Sequence, residues 1–76
     1  MDEQKLIHDP PQKVLALYQA VIEFINEGCD INTLKVADIT GRAGIGKGTA
    51  YEYFSSKEEI ISSAILYYVK VCFEKL

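Results

Sequence analysis

TGRAGIGKGTAYEYF, residues 40–54, can be read in two incompatible ways. Taken as Gly41-x-x-x-x-Gly46-Lys47, it has the spacing of a loop whose glycine N–H groups and single lysine wrap nucleotide phosphates. Taken instead as the end of one short helix, a glycine-containing turn and the start of a second short helix, it is a helix pair bent into a corner. A phosphate loop of that kind needs a buried strand before it and a helix after it. The residues ahead, LKVADIT (34–40), place Asp38 where a buried parallel strand would be apolar, and no second strand candidate follows. The glycines also have a plain use as helix ends and a tight turn. The helical reading is the one that fits.

The neighbouring sequence supports it. From Val14 the apolar residues Val14, Leu17, Tyr18, Val21, Ile22 and Ile25 recur every three or four positions, which predicts a helix with a broad buried face. Asp9 is placed to cap it, Pro10 and Pro11 suit its first turn, and Gly28 suits its end. Val36, Ile39 and Ala43 predict a second helix of about two turns that stops at Gly44. A third helix is expected over Lys47–Phe54, with Ala50 and Phe54 inward and Gly48, Thr49 and Glu52 outward. Only Gly44-Ile45-Gly46 joins these two, with Ile45 as an apolar plug in the corner. The fourth helix starts near Ser55-Ser56, where either serine can cap and Glu58 or Glu59 can close a capping box. It is expected to run to Leu76 with two apolar stripes, Ile60, Ala64, Tyr67, Val71 and Ile61, Ile65, Tyr68, Cys72. Two stripes are too wide for one small core, so further chain is expected to cover the second.

Composition and charge narrow the function. The chain is 49% hydrophobic and 25% charged, and carries a net charge of −3. That is ordinary for a folded domain and argues against disorder. The start, Met1-Asp2-Glu3, lacks the basic and apolar regions of a secretory signal, so a cytoplasmic protein is expected. Cys29 and Cys72 lie far apart, neither is in a Cys-x-x-Cys pair, and the single histidine is His8. No metal or cofactor is expected, and both thiols are expected to pack as small hydrophobes. The charge is uneven: residues 1–34 carry −4, residues 35–57 carry +2 and residues 58–76 carry −1. Since lysine and arginine neutralise phosphates, the positive segment around the opening stretch is the place for a polyanion.

Small residues at the start of the third helix permit close approach to a groove, while hydroxyls and lysine supply phosphate and base contacts. This is the arrangement of a helix-turn-helix reader of DNA. The alternative from pattern alone is a helical protein-interaction module in which Tyr51, Tyr53 and Phe54 are all core, with a nucleotide-binding fragment through Gly41–Thr49 behind it. Glu52 is expected either to accept a hydrogen bond from a cytosine amine or to pair with a neighbouring lysine or arginine.

The run VADITGRAGIGKGTAYEYFSSKEEII (36–61) resembles the amino-terminal signature of the TetR family of bacterial transcription regulators, through Ile39, Ala43, Gly44, Gly48, Thr49, Tyr51, Tyr53, Phe54 and Lys57. Leu17, Ala20, Phe24 and Gly28 resemble that family's first helix, so the likeness spans residues 13–68. It implies an all-α fold: a small bundle of three helices containing a helix-turn-helix, plus a fourth helix leading toward a helical effector domain that this chain lacks. The expected division is a flexible segment 1–9, a DNA-binding domain 10–56 with the helix-turn-helix at about 35–54, and a connecting helix 57–76. The resemblance further implies a repressor, not an enzyme, that binds a palindromic double-stranded DNA operator. It would act as a homodimer through an absent carboxy-terminal domain that also takes a small-molecule effector, with no membrane partner.

The expected DNA-binding residues are Lys35, Arg42, Gly46, Lys47, Gly48, Thr49, Tyr51, Tyr53 and Lys57. Within that set the resemblance assigns Lys47, Gly48 and Thr49 to the start of the helix entering the major groove. It assigns Tyr51 and Tyr53 to backbone or base edges, and Lys57 to a phosphate. Lys35 stands where the family commonly has a capping threonine, so the cap of the second helix is expected elsewhere, with Thr33 as the candidate. Thr40, Gly41 and Gly46 also depart from the family's usual residues.

Overall fold

The computed structural model describes residues 10–74, and every regular element among them is a helix: α1 (Gln12–Asn26), α2 (Val36–Ala43), α3 (Lys47–Tyr53) and α4 (Lys57–Glu74). No strand precedes the glycine-rich stretch, so the context a nucleotide loop requires is missing among the described residues. The expected flexible segment 1–9, with Asp9 as a cap and His8, lies outside the described residues, as do residues 75–76, over which the fourth helix was expected to continue.

Packing is organised around α1, which lies against α4 on one side and α2 on the other and touches α3 more lightly. Its buried residues are Val14, Leu17, Tyr18, Ala20 and Val21, two turns of one face. Leu34, Ile39, Ala50, Phe54, Ile60, Ile61 and Ala64 complete the core from the other segments. Tyr18 is its largest fully buried side chain. Its ring lies 6.1 Å from that of Phe54 and 5.3 Å from that of Tyr67, and its hydroxyl is hydrogen-bonded to Ser63. One tyrosine thereby joins α1, the end of α3 and α4.

The helix ends follow local chemistry. Pro10 and Pro11 precede α1 instead of occupying its first turn; Pro11 has the extended backbone of a boundary residue, and its carbonyl accepts the Leu15 N–H at 2.9 Å. At the other end Gly28 adopts φ +84, which a residue with a Cβ rarely tolerates. The Gly28 N–H donates to the Ile25 carbonyl and the Cys29 N–H to the Phe24 carbonyl, closing the last turn. Asp30 then folds the connection: its carboxylate accepts the Asn32 N–H, and its carbonyl accepts both the N–H and the hydroxyl of Thr33. Thr33 is thus spent in this turn and does not cap α2. The Lys35 N–H instead donates to Asp38 Oδ2 at 3.1 Å, half of a capping box. A lysine side chain has no acceptor, so the other half cannot form.

At the start of α4 the two serines divide the work. The Ser56 hydroxyl accepts the Glu59 N–H, and the Glu59 carboxylate reaches back to the Ser55 N–H. Ile60, Ile61 and Ala64 are buried and Tyr67 packs against the core, so the second of the expected stripes is split: Ile61 joins the core, whereas Ile65 and Cys72 are exposed. Leu66, Val69 and Phe73 are exposed with them, Phe73 at 71%. Cys29 is exposed too, in the turn after Gly28, so neither thiol is the small core hydrophobe expected. No helix among the described residues is long and apolar enough to cross a membrane.

Gly41 lies in the interior of α2 with helical backbone, and a Cβ there would meet nothing within 4 Å. Its cost is therefore purely that of glycine in a helix. Gly41→Ala is expected to stabilise the chain by about 1 kcal/mol, seen as a rise in Tm of roughly 4–8 °C in a domain of this size.

Candidate nucleic-acid interface

The corner between α2 and α3 is made by one left-handed residue. Gly44 adopts φ +77, and its N–H and that of Ile45 both donate to the Thr40 carbonyl, at 2.9 and 3.1 Å. Thr40 itself is buried, with its hydroxyl returned to the Ala37 carbonyl. Ile45 packs against the core as the plug between the two helices. Gly46 has an ordinary extended backbone, φ −83, and heads α3 without a side-chain cap; its carbonyl accepts the Ala50 N–H at 3.2 Å.

Seven residues including Gly48 and Thr49 are too few and too weakly helical to hold α3 in water unaided. Burial of Ala50 and Phe54 holds it. That anchoring decides what faces outward: Lys47, Gly48, Tyr51 and Glu52 are exposed and Thr49 is half-buried. Tyr53 differs from expectation, since it is half-buried and packs against the core beside Phe54. The helix also stops at Tyr53, one residue early, because Phe54 turns extended at φ −132 to bring its ring inward.

The basic residues fall into two groups. Lys47, at the first position of α3, and Lys35, just before α2, are exposed and make no ion pair among the described residues. Lys57, at the first position of α4, donates to the Asn32 carbonyl at 3.3 Å, which ties α4 to the α1–α2 connection and leaves two of its three donors unassigned. Arg42 is held elsewhere. It is hydrogen-bonded and ion-paired to Glu27, lies 3.8 Å from a carboxylate oxygen of Glu23, and stacks 3.8 Å from the centroid of the Phe24 ring. The Glu27 hydrogen bond, with the nearby carboxylates, raises its pKa further above its ordinary range. Glu52 pairs with no lysine or arginine among the described residues, so the surface ion pair expected for it does not form.

The structure therefore gathers Gly46, just before α3, with Lys47, Gly48, Thr49 and Tyr51 on it, while Lys57 lies four residues beyond its end and Lys35 before the preceding helix. Arg42 stands apart, on the seam with α1. Its partners Glu23 and Glu27 went unmarked as site residues, and Phe24 was marked only for its likeness to the family's first helix. Their one-turn spacing on α1 was the available signal, but nothing in the sequence pairs that turn with a residue fifteen positions on.

Compared with known proteins, residues 19–64 match a family model described as bacterial regulatory proteins, tetR family. The match covers more than half of the chain: the second half of α1, all of α2 and α3, and the first turns of α4. No curated protein and no solved structure matches it.

Proposed function

From the premise that the chain belongs to the TetR family of bacterial regulatory proteins, DNA-binding regulators of transcription, we propose that α3 is its recognition helix, entering the major groove of a palindromic operator. The observation that carries this reading is the way Ala50 and Phe54 fasten α3 to the core while Lys47, Gly48, Thr49 and Tyr51 remain turned outward. Gly48 adds no side chain between helix and DNA. Lys47 supplies charge for a phosphate or a guanine edge, and the hydroxyls of Thr49 and Tyr51 supply base or backbone contacts. Lys35 and Lys57 flank α3 as phosphate contacts; Gly46 and Tyr53 shape the two ends of α3. The Arg42 guanidinium faces α1 and takes a separate role.

The regulator acts as a repressor in the cytoplasm, paired as a homodimer by chain outside these 76 residues that also binds a small-molecule effector. Two heads set about 34 Å apart, or a multiple of it, read successive major grooves on one side of the duplex. The exposed apolar side of α4 favours a protein contact there, which is compatible with this arrangement.

Binding-site selection at stated salt tests the reading: recovery of a two-fold symmetric site supports it, and retention of no duplex sinks it. On the selected duplex, Lys47→Ala is expected to flatten the slope of log K against log salt by about 0.9, one phosphate's worth of counterions. An unchanged slope would remove Lys47 from the phosphate contacts.

A further inference from the structure

We infer that Arg42 is a positioning residue, which sets the angle at which α3 is presented by clamping α2 to α1 and takes no phosphate itself; the inference rests on the proposed DNA-binding function. Its guanidinium is already held against α1, with Phe24 at 3.8 Å from its carbon, Glu27 hydrogen-bonded to Nη1 and Glu23 at 3.8 Å from the same nitrogen. Swinging the group out of this seat toward a phosphate would exchange two carboxylates and a ring for one anion. The place of the clamp gives it leverage. Arg42 is in the last turn of α2, two residues before the left-handed Gly44 at which the chain reverses into α3. Since α3 touches α1 much less than α2 does, the direction of α3 is inherited largely from the seat of α2 on α1. A guanidinium suits the task because a single planar group can stack on a ring and hydrogen-bond a carboxylate at once, which an ammonium cannot.

The test measures affinity for the selected duplex over roughly 50–200 mM salt for wild type, Arg42→Ala, Arg42→Lys, Glu27→Gln, Phe24→Leu and the Arg42→Ala/Glu27→Gln double variant. Each value is corrected for the folded fraction found by circular dichroism at the same temperature, so that simple loss of fold does not register. An exposed ion pair and a cation–π contact together set a ceiling of about thirtyfold. Arg42→Ala is expected to bind about three- to tenfold more weakly at every salt concentration, with the slope unchanged. Glu27→Gln and Phe24→Leu should fall in the same direction, Arg42→Lys should restore part of the loss, and the double variant should bind no worse than Arg42→Ala alone. A slope flattened by about 0.9 in Arg42→Ala, or tighter binding with a steeper slope in Glu27→Gln, would make Arg42 a phosphate contact and overturn the inference alone. If Arg42→Ala proves unfolded at the assay temperature, Glu27→Gln and Phe24→Leu decide it by the same criteria. Failure of the wild-type chain to hold any duplex overturns the proposed function and this inference together.

Discussion

Phe54→Ala is expected to remove about 3–5 kcal/mol of stability, the usual cost of truncating a buried phenylalanine. At 76 residues the whole folding free energy is on the order of 4–11 kcal/mol, so the truncation should remove from about a quarter to all of it. Phe54 is only 2% exposed, its ring lies against Tyr18, and with Ala50 it is the fully buried anchor of α3. Its loss leaves a cavity where three helices meet and detaches the end of α3. Tyr51→Ala, three residues earlier at a side chain 50% exposed, should stay within about 0.5 kcal/mol of wild type. Urea midpoints of the two variants check both statements, and equal losses would show that the inward and outward faces of α3 have been assigned wrongly.

Alkaline titration should produce the second large effect. Burial disfavours the phenolate of Tyr18, pushing its pKa up to about 12, and the nearby Tyr67 adds to the rise while the hydrogen bond with Ser63 opposes it. In the unfolded chain the same hydroxyl titrates near 10. Below about pH 10 both states hold the proton and the stabilisation is complete. As pH climbs from about 10 toward 12 the unfolded state releases its proton while the folded state keeps it, so stability must fall. The loss approaches about 2–3 kcal/mol once the folded pKa is passed, at about 1.4 kcal/mol per unit. Tyr18→Phe should give up about 1 kcal/mol at neutral pH for the missing hydrogen bond but show a correspondingly shallower decline above pH 10. Other tyrosines and lysines titrate in both proteins, so the difference between the two curves isolates Tyr18. Parallel curves would disprove the assignment.

Much of the fold was legible because it is written in local chemistry. Gly28 and Gly44 end helices where no other residue readily turns left-handed, and the periodicity from Val14 to Ile25 marks Val14, Leu17, Tyr18 and Val21 as buried, though it includes the half-exposed Ile22 and misses Ala20. The ends and faces that depend on distant partners were not legible. Tyr53 looked like part of an outward set, but it packs half-buried against the core, while the extended backbone of Phe54 brings its ring to Tyr18. On α4 the apolar residues lie nearly all round the helix, so period alone could not say that Ile61 would face α1 while Leu66, Val69 and Phe73 would not. The cap of α2 passed to Asp38 because Thr33 was claimed by Asp30, a competition visible only once the turn is built. Arg42 illustrates the same limit at the candidate interface: its charge was evident from the sequence, but its partners across the α1–α2 seam were not.

The thin anchoring of α3 has a consequence for how such a reader can change over generations. Of its seven residues only Ala50 is fully buried, and Phe54, the second anchor, lies just past its end. The codons for Lys47, Gly48, Thr49, Tyr51 and Glu52 can therefore drift with little penalty in folding, so that a lineage can explore new operators through viable intermediates. On the proposed reading, target choice and structural integrity are inherited through different positions of the same short helix, and a duplicated copy can acquire a new address without first losing its shape.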